Sequence, residues 1–275
     1  MDNINGLYNL AKFASEYSGT PPKITILDAS QIMSLHHAIF PPDGTAIVVN
    51  IKTATMIDSV LRVLLTVYPR DHHVYWINTQ EDETTKSSIS IMNILQLKDK
   101  AENICLIIPS LGERTSFDGF HELIAHLRSP EGCPWDREQT HLSLRPNLLE
   151  ETYETLSAID NGDPAEMQEE FGDLLLQVVL QTQIASEAGE FKMSDVIRGI
   201  YTKLVDRHPH VFGDMEISDA EGVKQNWEKI KAKEREAKGE QKKGVLDGIP
   251  AELPALTQAD AYQKRAARVG VDWPV

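Results

Sequence analysis

The chain has 275 residues, enough for one large domain or two modest ones, and a formal charge of −15 with a pI near 5.0 disfavours any contact with a nucleic-acid backbone. A small anionic ligand held through a metal stays compatible with that charge. Only Cys105 and Cys133 are present, too few for a disulfide framework or a cysteine zinc site. With no signal-like start and no apolar run of about 18 residues, the expectation is a soluble, cytoplasmic protein without nucleic-acid or membrane partners.

Residues 1–22 are poorly patterned and end in Thr20-Pro21-Pro22, which predicts a tail or linker. From Lys23 the style becomes α/β. Four short β-rich runs, Ile24 to Leu27, Ala46 to Val49, His73 to Ile77 and Ile104 to Ile108, are bounded by turn signals such as Pro41-Pro42-Asp43-Gly44, and Met56 to Tyr68 carries apolar residues at helical spacing. This pattern predicts a small sheet with covering helices over 23–115. It contains no Gly-rich phosphate loop. His36-His37 and His72-His73 are adjacent pairs whose side chains diverge on either a strand or a helix, so they read as loop histidines and not as metal ligands.

After Pro109 the polar stretch Ser110 to Ser116 marks a boundary, and Phe120, Leu123, Ile124 and Leu127 open a helical pattern that persists almost to the end. Ser129 to Asp136, with two prolines and a glycine, breaks it. Then come two helices that carry carboxylates at helical spacing. The first holds Glu150, Glu151 and Glu154, which fall within roughly one 100° arc. The second holds Glu170 and Asp173, continued by Gln177 and Gln181, on a helix otherwise made of Phe171, Leu174, Leu175, Leu176, Val178, Val179 and Leu180. A helix apolar nearly all round is expected to be buried, so its polar stripe must face something inside the protein. Carboxylates brought together there need a partner or a cation, and oxygen-only donors suit a hard divalent ion. For the first helix alone a solvated face is the competing reading, since Leu149, Tyr153 and Leu156 lie opposite its acids.

Between the two, Asn161-Gly162 predicts a helix stop, Asp163 an N-cap and Pro164 the first helical position, with Glu166 completing a capping-box-like pattern. So short a connection makes the helices antiparallel neighbours. The second buries more apolar surface than a two-helix layer covers, which predicts at least a homodimer. Neither acidic helix carries a Glu-x-x-His pair, which argues against a di-iron carboxylate bundle. Ser194 is placed to cap a fourth helix with Ile197, Ile200, Tyr201 and Leu204 on one face. It ends in Lys203, Arg207 and His208, cations that serve either the helix dipole or an anion held at the acidic site. Gln225 to Lys243 reads as a solvated helix from which only Trp227 and Lys231 stand out, and Val245 to Val275 as an arm with a helical middle.

Four ordered motifs carry a resemblance. Gly132-Cys133-Pro134-Trp135-Asp136 with Gln139-Thr140-His141, then Leu149-Glu150-Glu151-x-x-Glu154, then Glu170 to Leu175, then Lys203-x-x-x-Arg207-His208-Pro209-His210-Val211-Phe212, are similar to the MazG family of nucleoside triphosphate pyrophosphohydrolases. The resemblance covers about 117–213. It implies an all-α, four-helix-bundle-type dimer or higher assembly over 116–215, making the chain α+β overall, with magnesium (manganese being the other suitable ion) held by Glu151, Glu154, Glu170 and Asp173. It also implies nucleotide contacts from the segment Asn147 to Glu151, which includes Glu150, and from Lys203 to Arg207. The products implied are a nucleoside monophosphate and pyrophosphate. Glu150 is then the candidate to orient or deprotonate the attacking water, and Lys203 and Arg207 offset developing phosphate charge.

The segment 216–275 resembles the connector to a second MazG copy in longer relatives, through Gln225-Asn226-Trp227-Glu228-x-Ile230-Lys231 and Leu246-Asp247-x-Ile249-Pro250, and the sequence stops where that copy would begin. Those relatives tend to carry a lysine seven positions before the metal-binding aspartate. Glu166 stands there in this chain, which puts catalytic rate in question. The part from Ile24 to Pro109 is more weakly similar to the second lobe of tetrapyrrole methylases, on the run from His36-His37 to Pro41-Pro42-Asp43. Without the Gly-rich lobe, a remnant lacking methyltransferase activity is expected. The alternatives to an enzyme are a non-catalytic nucleotide-binding or oligomerisation module and a residual methylase.

Overall fold

The computed structural model describes residues 23–78, 86–102, 104–237, 239, 244–251 and 253–271. The expected tail 1–22 lies outside these residues. The chain divides into two compact units, Met1–Glu190 and Phe191–Val275. The division falls inside the segment 116–215, between its third and fourth long helices.

The first unit begins with β1 (Ile24–Asp28), α1 (Ala29–Ile32), β2 (Thr45–Ile51), α2 (Ala54–Leu64), β3 (His73–Asn78), β4 (Lys86–Ser90), a 3-10 stretch (Ile91–Lys100) and β5 (Ile104–Ile108). The five strands form one sheet in the order β1-β2-β5-β3-β4. Only β1 and β2 are parallel; the other neighbours are antiparallel, and Leu106 sits between Val48 and Trp76 at the middle of the sheet. Every residue of β5 is buried, as a strand covered on both faces requires. Its even positions join Val48, Val74, Trp76, Ile57, Val60, Val63, Leu64 and Ile94 in the main core, while Cys105 and Ile107 meet Ile47 and Ile77 on the other face.

Local chemistry explains the starts of the helices. Asp28 caps α1, its carboxylate accepting from the Ser30 amide at 2.9 Å and from Asn50 Nδ2 at 2.6 Å. These bonds hold the Asp28 carboxyl well below the usual range, at about 2. Thr53 caps α2 by accepting from the Met56 amide at 3.2 Å. β4 and the 3-10 stretch extend beyond the four predicted strands and single helix, because Lys86-Ser87-Ser88-Ile89-Ser90 is an edge strand with little apolar content.

The rest of the first unit is helical: α3 (Phe117–Arg128), α4 (Pro134–Glu138), α5 (Arg145–Asn161) and α6 (Pro164–Glu187). Ser116 caps α3 through the Gly119 amide. Arg128, its side chain only 6% exposed, ties this group together. Its Nε and Nη2 donate to Glu187 on α6 at 3.0 and 2.7 Å, and its Nη1 donates to the carbonyls of Asp136 and Gln139. At Gly132 a Cβ would collide with the carbonyl oxygens of His126 and Leu127, so the break between α3 and α4 needs glycine for close approach.

The second unit holds α7 (Met193–Arg207), α8 (Pro209–Phe212), α9 (Ala220–Ala237) and α10 (Ala255–Ala267). α7 begins two residues earlier than Ser194 predicts. Lys192 occupies the cap position and its amide donates back to Asp195 Oδ2 at 3.0 Å, leaving Ser194 inside the first turn. No helix among the described residues is long and apolar enough to cross a membrane.

Candidate metal centre

α5 and α6 pack antiparallel, as their connection requires. Gly162 ends α5 with φ 66°, a left-handed conformation in which a side chain is strained. Asp163 caps α6, accepting from the Ala165 amide at 2.8 Å and the Glu166 amide at 3.4 Å. The capping-box expectation for Glu166 fails: its carboxylate accepts from Asn161 Nδ2 at 3.3 Å, and not from the Asp163 amide. The two helices are in register where Thr155 Oγ1 donates to the Glu170 carbonyl at 3.4 Å.

That register brings three of the predicted ligands together. One carboxylate oxygen from each of Glu151, Glu154 and Glu170 lies within 4.8 Å of the others. Partial burial first, and then Asp173, Glu154 and Glu170, raise the Glu151 carboxyl above its ordinary range. Glu170 is raised by the same kind of burial and then by Glu154 and Asp173. Asp173 therefore adds its field to the cluster, although it is not among the three closest oxygens. Glu150 is exposed and acts on Glu151 more weakly than the other acids do, while Asn147 is half-buried one turn before Glu151. Carboxylates that raise one another in this way form an all-oxygen donor set of the kind that a hard divalent cation relieves. The donors present fit such an ion.

α6 is less enclosed than its sequence predicts. Its C-terminal half buries Val179, Leu180 and Ala185, but Phe171 is 50%, Leu175 41% and Val178 43% exposed, and α5 likewise exposes Leu149, Tyr153 and Leu156. Composition fixes that a helix seeks cover and does not say that its own chain supplies it. The polar stripe continues past the acids into a half-buried network that sequence reasoning left without a role. His141 Nδ1 bonds Gln181 Oε1, and its Nε2 lies 3.8 Å from Glu190. His141 closes the one Glu-x-x-His spacing of the chain, with Glu138, and these contacts turn its ring to the far end of α6, away from the carboxylate cluster.

The remaining predicted residues lie in the second unit. Lys203 is exposed. Arg207 forms an ion pair with Glu234, and its guanidinium lies 5.3 Å from the ring centre of Trp227. Lys231 pairs with Glu228 at 3.1 Å. The histidine pairs of the α/β part behave structurally: His36 and His37 are in a loop, His72 Nε2 donates to the Pro109 carbonyl at 3.0 Å, and His73, at the start of β3, bonds Ser88 Oγ.

Residues 139–212, which contain the whole acidic cluster, match the model of the MazG nucleotide pyrophosphohydrolase domain. Among individual proteins, the chain is 51% identical over 157 residues to the nucleoside triphosphate pyrophosphohydrolase/pyrophosphatase MazG of Thermotoga maritima, covering 56% of this chain and 59% of that protein. It is 47% identical over 152 residues to the nucleoside triphosphate pyrophosphohydrolase of Escherichia coli, covering 55% and 57%. It is also 50% identical over 148 residues to the uncharacterized Bacillus subtilis protein YabN, of which it covers 30%. The chain thus spans well under two thirds of the length of each of these relatives.

Proposed function

We propose that this protein is a cytoplasmic, magnesium-dependent hydrolase that converts nucleoside triphosphates to nucleoside monophosphate and pyrophosphate. The observation that carries the reading is the meeting of Glu151, Glu154 and Glu170 on two antiparallel helices, within the field of Asp173 and inside the segment matched by the pyrophosphohydrolase domain model. A triphosphate and these carboxylates repel, so the substrate needs divalent cations between them. When bound, magnesium, or manganese in its place, polarises the phosphoryl oxygens and acidifies a bound water.

The chain's own residues do the rest. Glu151, Glu154, Glu170 and Asp173 hold the ion. Glu150, exposed beside them, orients the water and takes its proton as the oxygen joins the α-phosphorus and the bond to the pyrophosphate oxygen breaks. Asn147 contacts the nucleotide, Lys203 and Arg207 counter the charge that builds on the phosphates, and Trp227 and Lys231 line the nucleotide side. Magnesium at millimolar concentration is expected to raise the melting temperature, because an ion that binds only the folded state stabilises it. A panel of triphosphates assayed for pyrophosphate release tests the whole reading; no release from any of them sinks it.

The exposed Phe171, Leu175 and Val178 beside the acidic stripe support an assembly of at least two copies, in keeping with the four-helix-bundle dimer the family resemblance implies. Light scattering at micromolar concentration is expected to return a dimer or larger, and a monomer refutes this. Glu166 favours one second reading, a non-catalytic nucleotide-binding module, since it adds negative charge next to Glu170 where longer relatives carry lysine. Binding without turnover in the same panel identifies that case. The α/β part, 23–115, is proposed to share the fold of the second lobe of tetrapyrrole methylases. Residues 23–115 contain no Gly-rich loop, and calorimetry on this chain is expected to show no uptake of S-adenosylmethionine.

A further inference from the structure

Arg207, the last residue of α7, is held more firmly than a helix-terminal cation needs. Its Nε donates to Glu234 Oε1 at 3.1 Å and its Nη2 to Glu234 Oε2 at 2.6 Å, so the carboxylate on α9 grips one edge of the guanidinium as a fork. Trp227, two turns earlier on α9, covers its face at 5.3 Å. Trp227 is fixed in turn by the edge of His208 at 5.0 Å, whose Nδ1 donates to the Leu204 carbonyl at 2.6 Å. The side chain of Arg207 is 15% exposed. Only one edge is used. The Nη1 side of the guanidinium donates to no acceptor among the described residues, and it is the Nη1–Nη2 edge that matches a pair of phosphate oxygens.

Freezing an arginine side chain costs rotamer freedom, and a group already frozen binds its ligand without that cost. Cancelling its charge works the other way. The geometry decides between these, because the carboxylate occupies the edge away from the free donors and leaves the outer fork whole. We propose that Glu234 is a positioning residue that presents the outer edge of Arg207 to the phosphates of the nucleoside triphosphate. The proposal rests on the reading of Arg207 as a phosphate contact.

The test is a double-mutant cycle on the full chain, with pyrophosphate release measured against triphosphate concentration and folding checked by circular dichroism. Glu234→Ala is expected to raise KM about tenfold, with Glu234→Gln, which keeps the shape and one acceptor, in between. In an Arg207→Ala background Glu234→Ala is expected to change KM by less than twofold. A merely structural ion pair shows the same coupling in melting temperature and kcat with KM unchanged, so both are recorded for the same proteins, and a loss confined to them overturns the proposal. If Glu234→Ala does not fold, Glu234→Gln alone and in the Arg207→Ala background carries the same comparison. A fall in KM marks Glu234 as a competitor of the phosphates and overturns the proposal. So does a loss that multiplies with that of Arg207→Ala, or an Arg207→Ala enzyme as active as wild type. A wild-type protein that releases no pyrophosphate overturns the functional reading itself and this inference with it.

Discussion

Glu154→Gln or Asp173→Asn is expected to lower magnesium-dependent pyrophosphate release by about three orders of magnitude, roughly 4 kcal/mol in the barrier. Each replacement keeps the size of the side chain and removes the negative charge that a hard cation selects. Glu154 is exposed, so its loss should leave the fold intact, and circular dichroism should match that of the wild type. Magnesium should shift the melting temperature of either variant less than that of the parent. Turnover within about tenfold of wild type in either one removes that residue from the ligand set.

Leu106→Ala is expected to cost about 2–5 kcal/mol of stability, the range for emptying a buried leucine site. Leu106 is fully buried, paired on both sides by Val48 and Trp76, and belongs to the main core of the sheet. That core draws its buried residues from 27–108, and every residue assigned to the chemistry lies beyond it. The loss should therefore appear in thermal melting as early unfolding of the α/β part, while pyrophosphate release below that transition stays within about tenfold. A protein beginning near Ser116 should likewise stay folded, dimeric and active within that margin, and His36, His37, His72 and His73 should tolerate alanine. A folded truncated protein that binds magnesium and has lost several orders of magnitude of turnover would show the α/β part to be needed for the chemistry.

Much of the fold could be read from residue order because the decisive signals are local. Uninterrupted runs such as Ile104 to Ile108 predict a strand covered on both faces, and Gly162-Asp163-Pro164 predicts a stop, a cap and a start. Glu151, Glu154 and Glu170 meet because helical spacing and a short turn leave little choice of register. Three of the features that escaped show why. β4 was missed because an edge strand needs only one apolar side chain. The cover of α6 was misjudged, since an apolar helix looks the same whether its own chain or another covers it. The grip of Glu234 on Arg207 joins residues 27 positions apart on different helices, and no periodicity in a charged stretch singles out one glutamate among many.

The turn at Gly162-Asp163 also bears on how quickly each half of the first unit is made. α5 and α6 find each other across a gap of a few residues, and their contact at Thr155 and Glu170 spans only 15 positions. The sheet cannot close until β5, its last strand in sequence, arrives to fill the place between β2 and β3. Short-range contacts form fast and long-range strand pairing forms slowly. The helical hairpin that carries the carboxylates should thus assemble early in refolding, ahead of the sheet that precedes it in the chain. During synthesis the order reverses in part, since β1 to β4 wait for their central strand with apolar faces uncovered, and the ribosome supplies it only after more than a hundred residues have been joined.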